Sequence, residues 1–200
     1  MDTICVFGDS ITWGSSDSEA GGWVARLRNY FEKSNFDIEI YNCGVSGNNT
    51  NDLLQRFKKE AEAREPDIVI FAIGTNDSQY INSKDNPRVD REKFKSNLAE
   101  LAGQAREFTD KIIFVGLTKV DESKTAPIPW DETKFYDKDN VSKYNSEIEK
   151  FCQENNLEFI DMFDLLEEKD LADGLHPGPE GHEKMFLRVK DILQKNYEIS

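Results

Sequence analysis

The chain has 200 residues, enough for one ordinary domain to bury a core without disulfide or metal staples. Hydrophobic residues make up 38% and charged residues 32%, and no long uncharged apolar run occurs, which excludes a disordered chain and a helical membrane span. Lys and Arg number 25 against 39 Asp and Glu, a net charge of −14 that repels phosphate backbones and anionic lipid, so neither nucleic acid nor membrane is expected as a partner.

The first apolar run, Thr3–Phe7, reads as a strand and ends in Gly8-Asp9-Ser10. Trp23, Val24, Leu27, Tyr30 and Phe31 follow at helical spacing. A second strand, Asp37–Cys43, alternates as a half-exposed edge does and runs into Gly44-Val45-Ser46-Gly47. Leu53, Leu54, Phe57 and Ala61 mark the next helix. The third strand, Asp67–Ile73, is apolar on both faces and leads to Gly74-Thr75-Asn76-Asp77. A helix carried by Phe94, Leu98, Leu101, Ala102 and Ala105 precedes the fourth strand, Lys111–Leu117. The stretch Thr118–Asn140 then shows no helical period. A loop this long is mobile or functional, and its Trp130, Phe135 and Tyr136 either pin it to the body or form a wall or lid. Val141, Tyr144, Ile148 and Phe151 give another helix, and Leu157–Met162 a second edge strand. Asp173-Gly174-Leu175-His176-Pro177 comes before a last helix bearing Met185, Phe186, Val189, Ile192 and Leu193.

Strands alternating with helices predict an α/β fold: a single domain over residues 1–200, a three-layer α/β/α sandwich on a five-stranded parallel sheet. Edges at the second and fifth strands fit the flavodoxin-like order 2-1-3-4-5. That order puts a ligand site at the carboxyl ends of the first and third strands.

The residues after those strand ends can support acyl transfer. A serine hydroxyl needs a base, and the chain has two histidines. His176, before Pro177, lies in an extended loop, whereas His182 falls inside the last helix and is expected at its surface or half-buried. Asp173, three residues before His176, is placed either to fix the imidazole tautomer while Nε2 faces Ser10 or to cap the turn through nearby amides. The N–H groups of Ser10 and Gly44 and the side-chain amide of Asn76 can serve an oxyanion. Loops near Trp13, Tyr80 and Trp130 are expected to shape the substrate pocket. Asp9, Asp77, Asp137 and Asp139 suggest a hard cation, but Asp137-Lys138-Asp139-Asn140 lacks the following glycine and distal glutamate of a calcium loop, so neither metal nor cofactor is expected. Cys5, Cys43 and Cys152 form an odd set without CxxC. They read as buried small hydrophobes, and with the opening Met1-Asp2-Thr3, which has no basic leader, they point to the cytoplasm.

Phe7-Gly8-Asp9-Ser10-Ile11-Thr12-Trp13-Gly14, Asn42-Cys43-Gly44-Val45-Ser46-Gly47, Ile73-Gly74-Thr75-Asn76-Asp77 and Asp173-Gly174-Leu175-His176-Pro177 together resemble the SGNH subgroup of the GDSL esterases and lipases. Ile11 stands where the motif has Leu. The resemblance implies a metal-independent serine hydrolase with Ser10 as nucleophile, His176 as base and Asp173 as third triad member. Ser10 N–H, Gly44 N–H and Asn76 would form the oxyanion hole. The leading expectation is hydrolysis of carboxylic esters through an acyl-enzyme. Low apolar content, acidity, small size and the lack of a hydrophobic lid helix lean toward short-chain or acetyl esters. A thioesterase or phosphoesterase on the same scaffold stays open. So does a non-catalytic flavodoxin-like binding module, although Gly8 to Gly14 forms no phosphate-cradling pattern.

Overall fold

The computed structural model of the chain describes residues 2–34 and 37–197. Met1 lies outside them. The chain runs β1 (Asp2–Gly8), α1 (Ser10–Trp13), α2 (Trp23–Ser34), β2 (Ile38–Gly44), α3 (Thr50–Glu62), β3 (Ile68–Ala72), β4 (Tyr80–Ile81), α4 (Arg91–Ala105), β5 (Ile112–Val115), α5 (Glu122–Thr125), β6 (Lys134–Phe135), α6 (Lys138–Asn155), β7 (Glu158–Ile160) and α7 (Pro179–Tyr197). Five strands form a parallel sheet in the order β2-β1-β3-β5-β7. Numbered by strand within that sheet, this is the expected 2-1-3-4-5.

Strand alternation divides the core into two layers. Cys5, Phe7, Val69, Phe71, Ile112 and Phe114 point to one face and pack under α3, α4 and α6. Ile4, Val6, Ile68, Ile70, Ile113 and Val115 point to the other and meet α2 and α7. Burial on both faces explains why these three strands read as unbroken apolar runs. Tyr30 departs from its helical stripe and is 41% exposed. All three cysteines are buried and free.

The helices start where acidic and amide side chains cap them. Asp9, Asn49, Asp90 and Asp137 accept from the first-turn amides of α1, α3, α4 and α6, and Asn49 and Asp52 close a reciprocal capping box. Thus Asp9 and Asp137, weighed as cation ligands, serve as caps. Asp77 accepts from the Thr50 amide at 3.1 Å and from its hydroxyl, fastening the start of α3.

The stretch Thr118–Asn140 is more ordered than its aperiodic sequence implies. It contains α5, capped by Asp121, and β6, which pairs antiparallel with β4; α6 already begins at Lys138. Tyr136 is 2% exposed while Trp130 is 57% exposed. One aromatic pins the segment and the other faces outward.

Candidate active site

Parallel register brings three strand ends to one line: Gly8 of β1 stands opposite Gly44 of β2 and Ala72 of β3. The chain leaves each in a different direction, opening the crevice expected at the switch point between β1 and β3. Asp9 caps the single turn α1 by accepting from Ile11 N–H at 2.9 Å, which places Ser10 at its first position. Among the described residues the Ser10 N–H has no acceptor, as the first amide of a helix lacks one within it. Burial raises the Asp9 carboxyl to about 6, against the pull of the Ile11 amide and of His176.

The Ser10 hydroxyl lies 2.9 Å from His176 Nε2. On the far side of the ring, Nδ1 lies 2.7 Å from Asp173 Oδ2. Asp173 also does what the bland expectation asked of it. Its Oδ1 accepts from the amides of Leu175 at 3.0 Å and His176 at 2.7 Å, tightening the turn that carries His176. Burial pulls the Asp173 carboxyl upward, but hydrogen bonds from the His176 ring and from these two amides outweigh it and hold it at about 2. The loop is tied down further where Asp121 N–H donates to Gly174 O at 2.8 Å.

Asn76 faces the same cavity. Its Nδ2 donates to Asn48 O at 2.9 Å, and its Oδ1 accepts from the Tyr136 hydroxyl at 2.6 Å. Gly44 is held differently. A Cβ there would strike the Trp13 backbone nitrogen, so glycine is required for α1 to sit against β2. The Gly44 N–H donates to Asn42 Oδ1 at 2.9 Å, and Asn42 Nδ2 donates to Thr12 O at 2.9 Å.

A cavity of about 280 Å³ opens between Ser10, Asn76 and His176, walled by Gln79, Ile128, Trp130 and Tyr136. The Trp130 ring stacks beside that of His176, with centroids 6.1 Å apart and planes 25° from parallel. The other two expected pocket residues lie elsewhere. Trp13 is 60% exposed and Tyr80 forms the β4–β6 pair, and neither lines this cavity.

His182 is not at the surface. It is completely buried, its Nδ1 accepts from Trp23 N–H at 3.3 Å and its Nε2 donates to Ser15 O at 3.0 Å. Burial lowers its pKa to about 4, so it is neutral. The expectation failed because helical spacing shows which face of α7 is apolar, not that the loop after α1 folds over it. Sequence reasoning also missed Tyr136 and Asn42 as partners of site residues. The aromatic content of the long stretch was the one available signal.

No His, Cys, Asp or Glu cluster among the described residues is of a size to hold a metal ion, and no helix among them is long and apolar enough to cross a membrane. The model of the GDSL-like lipase/acylhydrolase family matches residues 6–184. That match defines the class of protein as a hydrolase, and the chain belongs to this family of esterases and acylhydrolases. The human isoamyl acetate-hydrolyzing esterase 1 homolog is 23% identical over 96% of this chain and 81% of its own length. Among solved structures, a lipase/acylhydrolase from Enterococcus faecalis has a TM-score of 0.76 at 25% identity, covering 96% of this chain and 95% of its own. A catalytic mutant of the Geobacillus stearothermophilus acetylxylan esterase Axe2, with a histidine changed to alanine, has a TM-score of 0.76 at 21% identity, covering 95% and 93%. Family membership selects a hydrolase over the non-catalytic binding module.

Proposed function

We propose that this protein is a single-domain, metal-independent serine esterase that cleaves short-chain or acetyl carboxylic esters through an acyl-enzyme. The observation that carries the reading is the unbroken hydrogen-bonded line from Ser10 Oγ through the His176 ring to Asp173, at 2.9 and 2.7 Å, beside an open cavity. Ser10 Oγ attacks the ester carbonyl as His176 Nε2 takes its proton, and the ionised Asp173 stabilises the imidazolium. The oxyanion is met by the Ser10 N–H and by the Asn76 Nδ2 hydrogen not engaged by Asn48. Gly44 is the third donor in this reading, and its N–H must then be shared with, or turn away from, Asn42 Oδ1. His176 returns its proton to the leaving alcohol. Water, deprotonated by the same ring, then releases the acyl group.

The modest cavity volume supports a small acyl group, and two relatives carry acetate-ester hydrolysis in their names. Three buried, unpaired cysteines fit a reducing compartment, and we place the protein in the cytoplasm on that ground. The test is a panel of chromogenic esters of rising acyl length, with the acetyl thioester alongside, run on the wild type and on Ser10→Ala. Turnover should be highest for the shortest acyl groups and absent from the variant. Activity in Ser10→Ala equal to wild type would remove the nucleophile, and a preference for long chains would remove the substrate class.

A further inference from the structure

We infer that Tyr136, from the long stretch between β5 and α6, is the positioning residue that pins Oδ1 of Asn76 and, with the Asn48 carbonyl on Nδ2, keeps the free amide hydrogen aimed at the developing oxyanion. The inference rests on the reading of Asn76 as an oxyanion donor.

Partner chemistry settles which way the Asn76 carboxamide points. Asn48 contributes a backbone carbonyl, which can only accept, so the atom 2.9 Å from it is Nδ2. Oδ1 is therefore the atom 2.6 Å from the Tyr136 hydroxyl, and the phenol donates. One Nδ2 hydrogen goes to Asn48, which leaves the second for the cavity that Asn76 lines. The terminal torsion of an asparagine is soft, so a single hydrogen bond leaves the amide room to swing. A full half-turn would set Oδ1 against the Asn48 carbonyl, which can only accept, so Asn48 opposes it. Smaller rotations would swing the free Nδ2 hydrogen off the oxyanion, and the Tyr136 hydroxyl opposes these by pinning Oδ1. Its donation to Oδ1 also polarises the amide and strengthens the opposite N–H as a donor.

Tyr136 is built to hold still. It is 2% exposed. Its backbone N–H donates to Thr125 O at 2.9 Å, and its carbonyl accepts from the Thr125 hydroxyl at 3.1 Å. Immediately before it, β6 pairs with β4, the strand that begins four residues after Asn76. The same stretch supplies Ile128 and Trp130 to the cavity wall. One segment therefore shapes the substrate space and orients the donor that serves it.

The experiment measures kcat and KM separately on an acetyl ester for Tyr136→Phe, Asn76→Ala and the double variant. Tyr136→Phe should lower kcat roughly 10-fold and leave KM within about 2-fold, because the interaction matters only as the oxyanion forms. In the Asn76→Ala background the same change should cost nothing further. A Tyr136→Phe enzyme with wild-type kcat, or one that adds its full loss to that of Asn76→Ala, overturns the inference and leaves the Asn76 reading intact. An Asn76→Ala enzyme with full activity overturns the Asn76 reading itself. Should Tyr136→Phe fail to fold, NMR of the wild type and Asn76→Ala still decides the matter. The Tyr136 hydroxyl, buried and donating to Asn76 Oδ1, should give a slowly exchanging proton resonance that is lost in Asn76→Ala. A hydroxyl proton that exchanges freely in the wild type, or one unchanged in Asn76→Ala, would overturn the proposal.

Discussion

His176 and His182 lie close in sequence and within reach of the same nucleophile loop, yet their surroundings assign them opposite chemistry. His176 has a carboxylate on Nδ1 and a hydroxyl on Nε2. His182 has a backbone N–H on Nδ1 and a backbone carbonyl on Nε2. A carboxylate welcomes the proton that a base must carry. A backbone donor forbids it, because protonating Nδ1 of His182 would set two N–H groups against each other in a buried site. One ring lies between a hydroxyl and a carboxylate, as the proposed base requires. The other is locked neutral and joins α7 to the turn after α1 and to the start of α2. Sequence position near a nucleophile therefore says little about a histidine, and the identity of its two partners says nearly everything.

The sharpest way to break this contrast is to remove each ring in turn. His176→Ala and Ser10→Ala should each lower kcat/KM by roughly 10⁵–10⁶-fold, as loss of a base or nucleophile does in a triad. His182→Ala should stay within about 10-fold of wild type once its fold is verified by circular dichroism. A folded His182→Ala protein as inactive as His176→Ala would show that the two roles had been assigned the wrong way round.

Asp173→Asn tests what makes His176 different, with an expected loss of roughly 10⁴-fold in kcat. The amide can still accept from Leu175 and His176 through its oxygen, so the turn should survive. Toward the ring it offers an N–H or a neutral oxygen, which misplaces the tautomer and withdraws support from the imidazolium. Because Asp173 is held at about 2, it stays ionised throughout the working range, and the acid limb of the wild-type pH–rate profile belongs to other groups. A chelator should change nothing in either protein. Loss of wild-type activity on chelation, restored by a divalent cation, would turn Asp173 and His176 into metal ligands.

Asn76→Ala should cost less, roughly 10²–10³-fold, and chiefly in kcat, since one oxyanion donor is lost while the nucleophile and base remain. An effect confined to KM would recast Asn76 as a residue that binds the ground state.

Much of this was legible in the chain because it is local. Doubly covered strands show as unbroken apolar runs, and a Gly-Asp-Ser or Gly-Thr-Asn-Asp at a strand end announces a turn with polar groups. Asp173 and His176 meet through a short turn whose spacing is visible in the sequence. What stayed hidden depends on pairs far apart in the chain. The Tyr136 hydroxyl on Asn76 and the burial of His182 under the Ser15 turn arise only after the layers have packed. The two-residue pairing of β4 with β6 is too short to leave a periodic signal, and so the ordered strap that carries Tyr136 reads as a bare loop.

The smallest expected effect is on stability, and it isolates His182 from the other buried titrating groups. The folded state holds His182 at about 4, below the ordinary value near 6.5, so the unfolded chain binds a proton over the interval between them that the folded chain does not. Stability from this group is therefore complete above about pH 6.5 and is lost as pH falls through about 4, a change of about 3 kcal/mol. Asp9 and Asp77 act in the opposite sense. Burial raises them to about 6 and about 7, so the folded state keeps protons that the unfolded chain releases, and their contribution declines as pH rises. The wild-type profile contains both slopes and cannot be read for His182 alone. The difference between wild type and His182→Gln can, because the carboxylates are common to both. Urea melts at pH 7.5 and pH 4.5 should show the variant less stable at the higher pH and the gap narrowing at the lower one, as the wild type alone must charge or expel its imidazole. A gap that stays constant between the two would mean that His182 is not held neutral, and the contrast with His176 would lose its physical basis.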